Sequence, residues 1–345
     1  MSTDSPEVPH PLPERANLRH LKGQAKDLVN SGGAISLTDA QFKIARLYGF
    51  ASWPKLKHHV ESLEAAGQLN QAIRTNDLAR VQELLTANPE LRQVLIDDVP
   101  FQWVAHQGRI PMMELLFRHG ADVNGLRWGW FPALFTACEN LDPEPLQWLL
   151  NHGADPNRGN PKDPGTALDY VIKTYPRDPD RLATCIEILL AAGAHTRYDV
   201  PGVLSILRGR TDELAGILDA DPALIHCRYP GLDCGQSGGR LLTLRGATLL
   251  HVAAEYGFFD ATRLLLDRGA DVNARAAIDS NGVGGQTPIF HALTHFKGMN
   301  PEVAQLLIDR GADLTVRARV PGHYERPGEL LHVSAAEYAA LFPLR

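Results

Sequence analysis

Leu264-Leu265-Leu266-Asp267-Arg268-Gly269-Ala270-Asp271-Val272-Asn273 reads as the end of one helix and the start of a turn. The leucines belong to an apolar helical stripe. Arg268 stands in the last turn, where a cation suits the negative end of the helix dipole. Gly269 has no Cβ, so it can take the left-handed conformation that stops a helix. The phrase returns as LLFRHGADVN at 115–124, LLNHGADPN at 149–157 and LLIDRGADLT at 306–315, with a weaker copy, LLAAGAHTR, at 189–197. Gly120, Gly153, Gly193, Gly269 and Gly311 mark the beat. Most steps are one unit of ~33 residues or somewhat more, and the gap after Gly193 holds two. A period of this length means stacked units that cannot bury their apolar faces alone.

The start of each unit is marked too. Gln286-Thr287-Pro288-Ile289-Phe290-His291-Ala292 offers Thr287 as N-cap and Pro288 at the first helical position. Ala247-Thr248-Leu249-Leu250-His251-Val252-Ala253-Ala254 is the same phrase without the proline, and the segments beginning at Gly165 and Phe131 are looser copies. Together these phrases resemble the ankyrin-repeat family, whose consensus carries T-P-L-H-x-A. The resemblance implies an all-α solenoid of helix–turn–helix units joined by short β-hairpin finger loops. About seven units are expected, starting near Leu69, Val99, Phe131, Thr166, Gly202, Thr248 and Thr287, with a terminal cap helix over 329–338. It also implies that His251 and His291, taken as the consensus histidines, brace neighbouring loops. In two units, at 84–91 and 217–224, a polar-proline stop replaces Gly-Ala-Asp, since proline cannot continue a helix.

Residues 1–16 carry many prolines and few large apolar groups, so a disordered tail is expected there. Residues 17–67 read as an N-terminal helical cap, with Asn17 and Thr38 as caps and Ser52-Trp53-Pro54 opening a third helix. The region resembles the one found on many bacterial ankyrin-repeat proteins. Residues 68–345 are then the repeat array. An alternative use of the cap region is a docking module built on Trp53, Lys55, Lys57, His58 and His59.

Composition narrows the function classes. The chain has 345 residues, 44% apolar, with a formal net charge of −6. That charge lacks the basic excess of a nucleic-acid binder. The four cysteines form no CxxC pair, and so few suit a reducing compartment. No secretory signal and no apolar run of spanning length is present, so a cytoplasmic protein without a membrane partner is expected.

No catalytic set, metal site or cofactor is expected. Gly235-Gln236-Ser237-Gly238-Gly239 matches the hydrolase elbow in letters, but turn residues precede it and a short strand follows it. His226, Cys227 and Cys234 do not make a closed zinc set. Three long polar fingers stand out instead, at 228–246, 274–286 and 316–329. Neighbouring repeats lie about 10 Å apart, so these fingers should stand side by side. Asp233, Arg240, Asp279, Asn281, His323, Tyr324, Glu325 and Arg326 are the candidate binding residues. Trp128 and Trp130 form a smaller candidate, with residue types found in binding hot spots. The resemblance implies a protein-binding scaffold that uses its concave face and these fingers. The alternative is a small polar ligand, or enzymatic chemistry, under the fingers, with His323, Tyr324, Glu325 and Asp279 as acid–base groups.

Overall fold

The computed structural model describes residues 10–13, 16–97, 100–127, 131–159, 165–237, 239–294 and 301–342. The chain divides into two compact units, Met1–Phe101 with Pro111–Asp122, and Gln102–Ile110 with Val123–Arg345.

The first unit opens with α1 (Leu18–Asn30), α2 (Leu37–Leu47) and α3 (Trp53–Thr75), followed by α4 (Leu78–Ala87) and α5 (Arg92–Asp97). Leu21 and Ala25, Ala40 and Ile44, and Leu56 and Val60 each sit one helical turn apart, so each helix turns one apolar edge inward. Burying each such leucine is worth about 1.5–3 kcal/mol. Trp53 and Leu12 pack on the same core. Trp53 is therefore a packing residue, and Lys57 pairs with Glu61 on its own helix. Asn17 caps α1 as expected. Ser36 rather than Thr38 caps α2, its hydroxyl accepting from the Asp39 backbone N–H at 3.1 Å. Helix α3 runs unbroken through residues 67 and 68, so the expected boundary falls inside a helix that serves both the cap and the first repeat. Of the stretch expected to be disordered, residues 1–9 and 14–15 lie outside the described residues. The remainder is tied down, with the His10 N–H donating to the Leu47 carbonyl at 2.9 Å.

Two short helices follow, α6 (Pro100–His106) and α7 (Ile110–Arg118), then the strands β1 (Leu126–Arg127) and β2 (Phe131–Pro132). The helices of the second unit come in pairs: α8 (Ala133–Glu139) with α9 (Pro143–Asn151), α10 (Ala167–Lys173) with α11 (Pro179–Ala191), and α12 (Val203–Leu207) with α13 (Thr211–Ala220). Next come α14 (Leu249–Tyr256) with α15 (Phe259–Asp267), and α16 (Pro288–Ala292) with α17 (Pro301–Asp309). Strands β3 (Arg317–Pro321) and β4 (Leu330–Ser334) form an antiparallel hairpin that leads into α18 (Ala335–Leu341). First helices pack on first helices, α8 on α10, α12 on α14, α14 on α16 and α16 on α18. Second helices make the other layer, α9 on α11 and α13 on α15 on α17. The expected starts near Phe131, Thr166, Gly202, Thr248 and Thr287 all precede first helices.

The recurring phrase works as read. Gly120, Gly153, Gly193, Gly269 and Gly311 have φ between +82° and +97°. The polar residue that ends the phrase does a further job. Asn273 donates to the Gly311 carbonyl at 3.0 Å and accepts from the Asp313 N–H at 2.8 Å. Asn124 makes the same pair of bonds with Gly153 and Asp155, and Asn157 makes them with Gly193 and His195. Each asparagine thus satisfies the helix-end carbonyl and the turn N–H of the next repeat.

Candidate functional site

The three long fingers are bonded to one another through their backbones. The Ala277 N–H of the middle finger donates to the Gly246 carbonyl of the first at 2.8 Å, and the Gly284 N–H to Arg319 of the third at 2.7 Å. The tip of the first finger also reaches the third directly, since the Tyr324 N–H donates to the Gly239 carbonyl at 2.8 Å and the Leu241 N–H to Gly322 at 3.2 Å. Fingers side by side were expected. The reach of the first finger was not. Its Ser237 hydroxyl donates to the Tyr175 carbonyl at 3.0 Å, and its Gln236 carbonyl accepts from Arg177 at 2.9 Å. The finger therefore lies across the first-helix layer back to the α10–α11 pair. Every residue of α14 and α16 is buried.

A charged cluster fills the space under this cover. Glu255, at the end of α14, is wholly buried between Arg240 at 2.5 Å, His291 Nδ1 at 2.6 Å and Arg177 at 2.8 Å. Burial pushes the Glu255 carboxyl up, but Arg240 and Arg177 outweigh burial and hold it below the ordinary range. Arg240 spends its other donors on the carbonyls of Thr294, Gly235 and Leu242. Arg177 lies over the Tyr256 ring at 4.6 Å, and the Tyr256 hydroxyl donates to the Ile172 carbonyl at 2.6 Å. These contacts join the fourth and sixth repeats across the short helix α12, which has 5 residues.

The two histidines read as equivalent are not. His251 makes the expected brace: its Nδ1 accepts from the Thr248 hydroxyl at 2.9 Å and its Nε2 donates to the Gln286 carbonyl at 3.1 Å. After Thr287 the same position is held by Phe290, and His291 comes one residue later. One residue is about 100° of helix, so His291 faces Glu255 instead. The Thr287 hydroxyl is then left without a partner among the described residues.

Burial pushes His251 down to about 3, with the nearby His291 acting in the same direction. An unfolded chain takes up this proton near pH ~6.5, while the folded chain refuses it until far lower. Its contribution is therefore complete above ~6.5 and is lost as pH falls toward the folded value. Between pH 7 and 5, His251 alone should remove about 2 kcal/mol of stability. Urea unfolding at both pH values should show this loss, and His251→Gln should flatten it. An equally steep loss in the variant would place the proton uptake elsewhere.

The candidate residues separate accordingly. Arg240 is a buried anchor with no face for a ligand. Asp233 sits at the first finger's base, taking a 2.5 Å bond from the Tyr198 hydroxyl and a 3.0 Å bond from Arg197. Asp279 holds its own turn through the N–H groups of Asn281 and Val283. The Asn281 carbonyl accepts from Arg319 at 3.3 Å. Arg326 pairs with Glu329 at 2.8 Å. His323 packs on Gly239, and its ring lies 4.5 Å from that of Tyr324. The exposed Glu325 carboxylate lies 3.6 Å from His323 Nδ1 and accepts from the Tyr324 hydroxyl at 3.4 Å. Of the acid–base candidates, His323, Tyr324 and Glu325 come together at the third finger's tip, while Asp279 stays in the middle finger's tip and the volume under the fingers is filled by the charged cluster. Trp128 and Trp130 lie outside the described residues.

One candidate, Tyr324, does face an open cleft of about 550 Å³. Tyr170, Lys173 and Tyr175, at the end of α10, line one side, and Gln236 and Ser237 at the finger tip the other. Of the chain's eight tyrosines, only Tyr175 and Tyr324 are exposed, at 40% and 58%. The α10 residues were missed in the sequence because nothing local marks them as neighbours of a finger more than 60 residues later.

A family model described as ankyrin repeats in three copies matches residues 69–160 and 223–318. The chain is similar to the E3 ubiquitin-protein ligase XBAT32 of Arabidopsis thaliana, at 30% identity over 213 residues, which is 60% of this chain and 37% of that protein. It is also similar to the probable E3 ubiquitin-protein ligase XBOS33 of Oryza sativa subsp. japonica, at 30% identity over 219 residues, 61% of this chain and 40% of that one. The chain thus spans about two fifths of the length of these curated relatives. Among solved structures it is similar to the human ASB11 ankyrin repeat domain, at 22% identity and a TM-score of 0.35, covering 71% of this chain and 97% of that one.

Proposed function

The chain belongs to the ankyrin-repeat family, and from that premise we propose that it is a protein-binding adaptor whose partner seats on the tyrosine-lined cleft beside its folded-over fingers. One observation carries the reading: both exposed tyrosines of the chain line that cleft. Tyrosine gives a large contact area for little loss of side-chain freedom and is enriched where binding energy concentrates. The finger backbones that frame the cleft are already bonded, so the surface is formed before a partner arrives, which lowers the cost of binding.

Two of the relatives carry ubiquitin-ligase names. The proposal takes from them only a role in holding another protein. No helix among the described residues is long and apolar enough to cross a membrane. We further propose a cytoplasmic setting, supported by four cysteines that are all free thiols.

Panning a displayed random-peptide library on the full chain tests the site. Tyr324→Ala should weaken the selected peptides about tenfold, near 1.4 kcal/mol, with the melting temperature almost unmoved. Peptides that bind the variant as tightly as the parent would place recognition elsewhere.

A further inference from the structure

Successive fingers are joined strand to strand. The Ala277 N–H donates to the Gly246 carbonyl and the Gly284 N–H to the Arg319 carbonyl, and the Gly284–Arg319 contact is antiparallel. Strand β4 comes next in this order, and among the described residues no backbone group bonds its outer edge.

The ladder decides which groups face outward. The Gly322 N–H donates to the Glu329 carbonyl at 3.0 Å, so hydrogen-bonded pairs recur at Val320–Leu331 and Ala318–Val333. Arg319 and His332 form a pair of the other kind. The Arg319 groups face away from β4, as the bond of its carbonyl to Gly284 requires. The N–H and C=O groups of Leu330 and His332 therefore face away from β3. The His332 carbonyl accepts from Arg317 at 2.5 Å, and a carbonyl oxygen has a second lone pair. The Ser334 N–H is taken by Glu337 at 2.8 Å, so the open edge runs from Leu330 to His332.

An open edge is a template for another strand, and proteins usually blunt it with a charge, a proline or a bulge. Leu330-Leu331-His332-Val333-Ser334 has no charged residue and no proline, and its register is unbroken. Helix α18 buries Ala335 and Tyr338 and packs on α16, while Ala336, Ala340 and Leu341 on its other side are exposed. Strand edge and apolar helix face thus both turn away from the preceding repeat. The same two elements, finger strand and first helix, join the repeats before them.

We infer that β4 and α18 form the contact surface of a two-fold dimer of this chain, with β4 pairing antiparallel to β4 of a second copy about Leu331. Three features fix the occupant. The existing seam is antiparallel, and a two-fold axis sets like strands antiparallel. An axis at Leu331 places Leu330 opposite His332 of the second copy, and His332 opposite its Leu330, which engages every open N–H and C=O. A second copy also brings its own α18 to the same side of the sheet, where a lone extended peptide would leave Leu341 bare. Charge does not oppose the contact. Arg317 pairs with Glu337 and Arg326 with Glu329. Arg319 stands one strand back from the edge, so its counterpart is about 14 Å away, beyond the ~8 Å reach of exposed charges in physiological salt.

Sedimentation equilibrium of the full chain between about 5 and 200 µM should show monomer and dimer and nothing larger, because the symmetry closes. His332→Pro removes one outward N–H and no ladder bond, a placement that edge strands tolerate. It should weaken the dimer at least about tenfold, with the melting temperature in dilute solution nearly unmoved. Leu330→Lys should act alike, and decides the matter if the proline unsettles the hairpin. In oxidised glutathione Leu331→Cys should cross-link to itself, since directly opposite residues lie about 4.5–5.5 Å apart, within disulfide reach. Arg319→Cys should stay at the background set by the parent's own cysteines. A chain that is monomeric at the highest concentration overturns the inference. So does a dimer that neither edge substitution weakens, or equal cross-linking at 319 and 331.

Discussion

Glu255→Ala is expected to destabilise the second unit by about 3–5 kcal/mol, the range seen when one partner of a buried ion pair is removed. The cause is what remains rather than what is lost. Arg240 and Arg177 are 0% and 2% exposed at their side chains, and both would be left facing a void. The damage should begin at the first finger, whose tip is held by these two arginines through the carbonyls of Gly235 and Gln236. Amide exchange at Leu241 and Tyr324 should therefore quicken more than at the α9–α11 layer. A companion variant separates the charge from the packing. Arg177→Met, Arg240→Met and Glu255→Leu together remove all three charges and keep the volume filled, and should recover most of the loss, because desolvating ions is itself costly. Chemical unfolding of the three proteins decides the matter. A loss below about 1 kcal/mol for Glu255→Ala would mean that water reaches the cluster and that the finger is held by its backbone bonds alone.

The same cluster shows where sequence reading stops. The repeat phase was legible because each unit carries its own punctuation: a leucine pair, a last-turn polar residue and a glycine in the left-handed region. These are local requirements that any copy must meet. The bracket made by Asn124, Asn157 and Asn273 was visible as a recurring letter but not as a bond to the next repeat. His291 was misplaced for a one-residue reason. The phrase after Thr287 has the right letters with Phe290 inserted at the bracing position, and a helix turns a side chain to another face within one step. Arg240 was read as surface because it lies in a glycine-rich polar loop, the usual composition of a solvated tip. Its burial follows from distant partners, Glu255 on α14 and the Thr294 carbonyl after α16, over which the long first finger folds. Arg177 and Glu255 are 78 residues apart, and no periodicity connects them. The cleft was half legible for the same reason. Tyr324 stood out in an unusual finger, whereas Tyr170, Lys173 and Tyr175 sit at an ordinary helix end and become a wall only when the finger folds back on them.

Gly284→Ala is expected to cost about 2–3 kcal/mol and to uncouple the middle finger from the third. Two independent obstacles meet at this residue. Its φ is +125°, a conformation that residues with a Cβ rarely adopt, and a Cβ built there would stand 2.2 Å from the Ala277 carbonyl oxygen. That oxygen is backbone and belongs to the residue whose N–H is bonded to Gly246 at 2.8 Å, so it cannot swing aside without breaking the contact with the first finger. Moving Gly284 instead breaks its own 2.7 Å bond to Arg319. Either adjustment opens one of the two seams that join the three fingers. Gly269→Ala is the matched control, since Gly269 has φ +90° but nothing within 4 Å of a built Cβ. The control should carry the backbone penalty of about 1 kcal/mol alone and leave the finger amides as protected as before. Exchange rates at Gly284 and Ala277, with unfolding midpoints for both variants, measure the difference. Equal losses in the two variants would show that conformation sets the cost and that the middle finger has room to move. Protection that survives at Gly284 in Gly284→Ala would show that the seam to β3 does not depend on close approach at this residue.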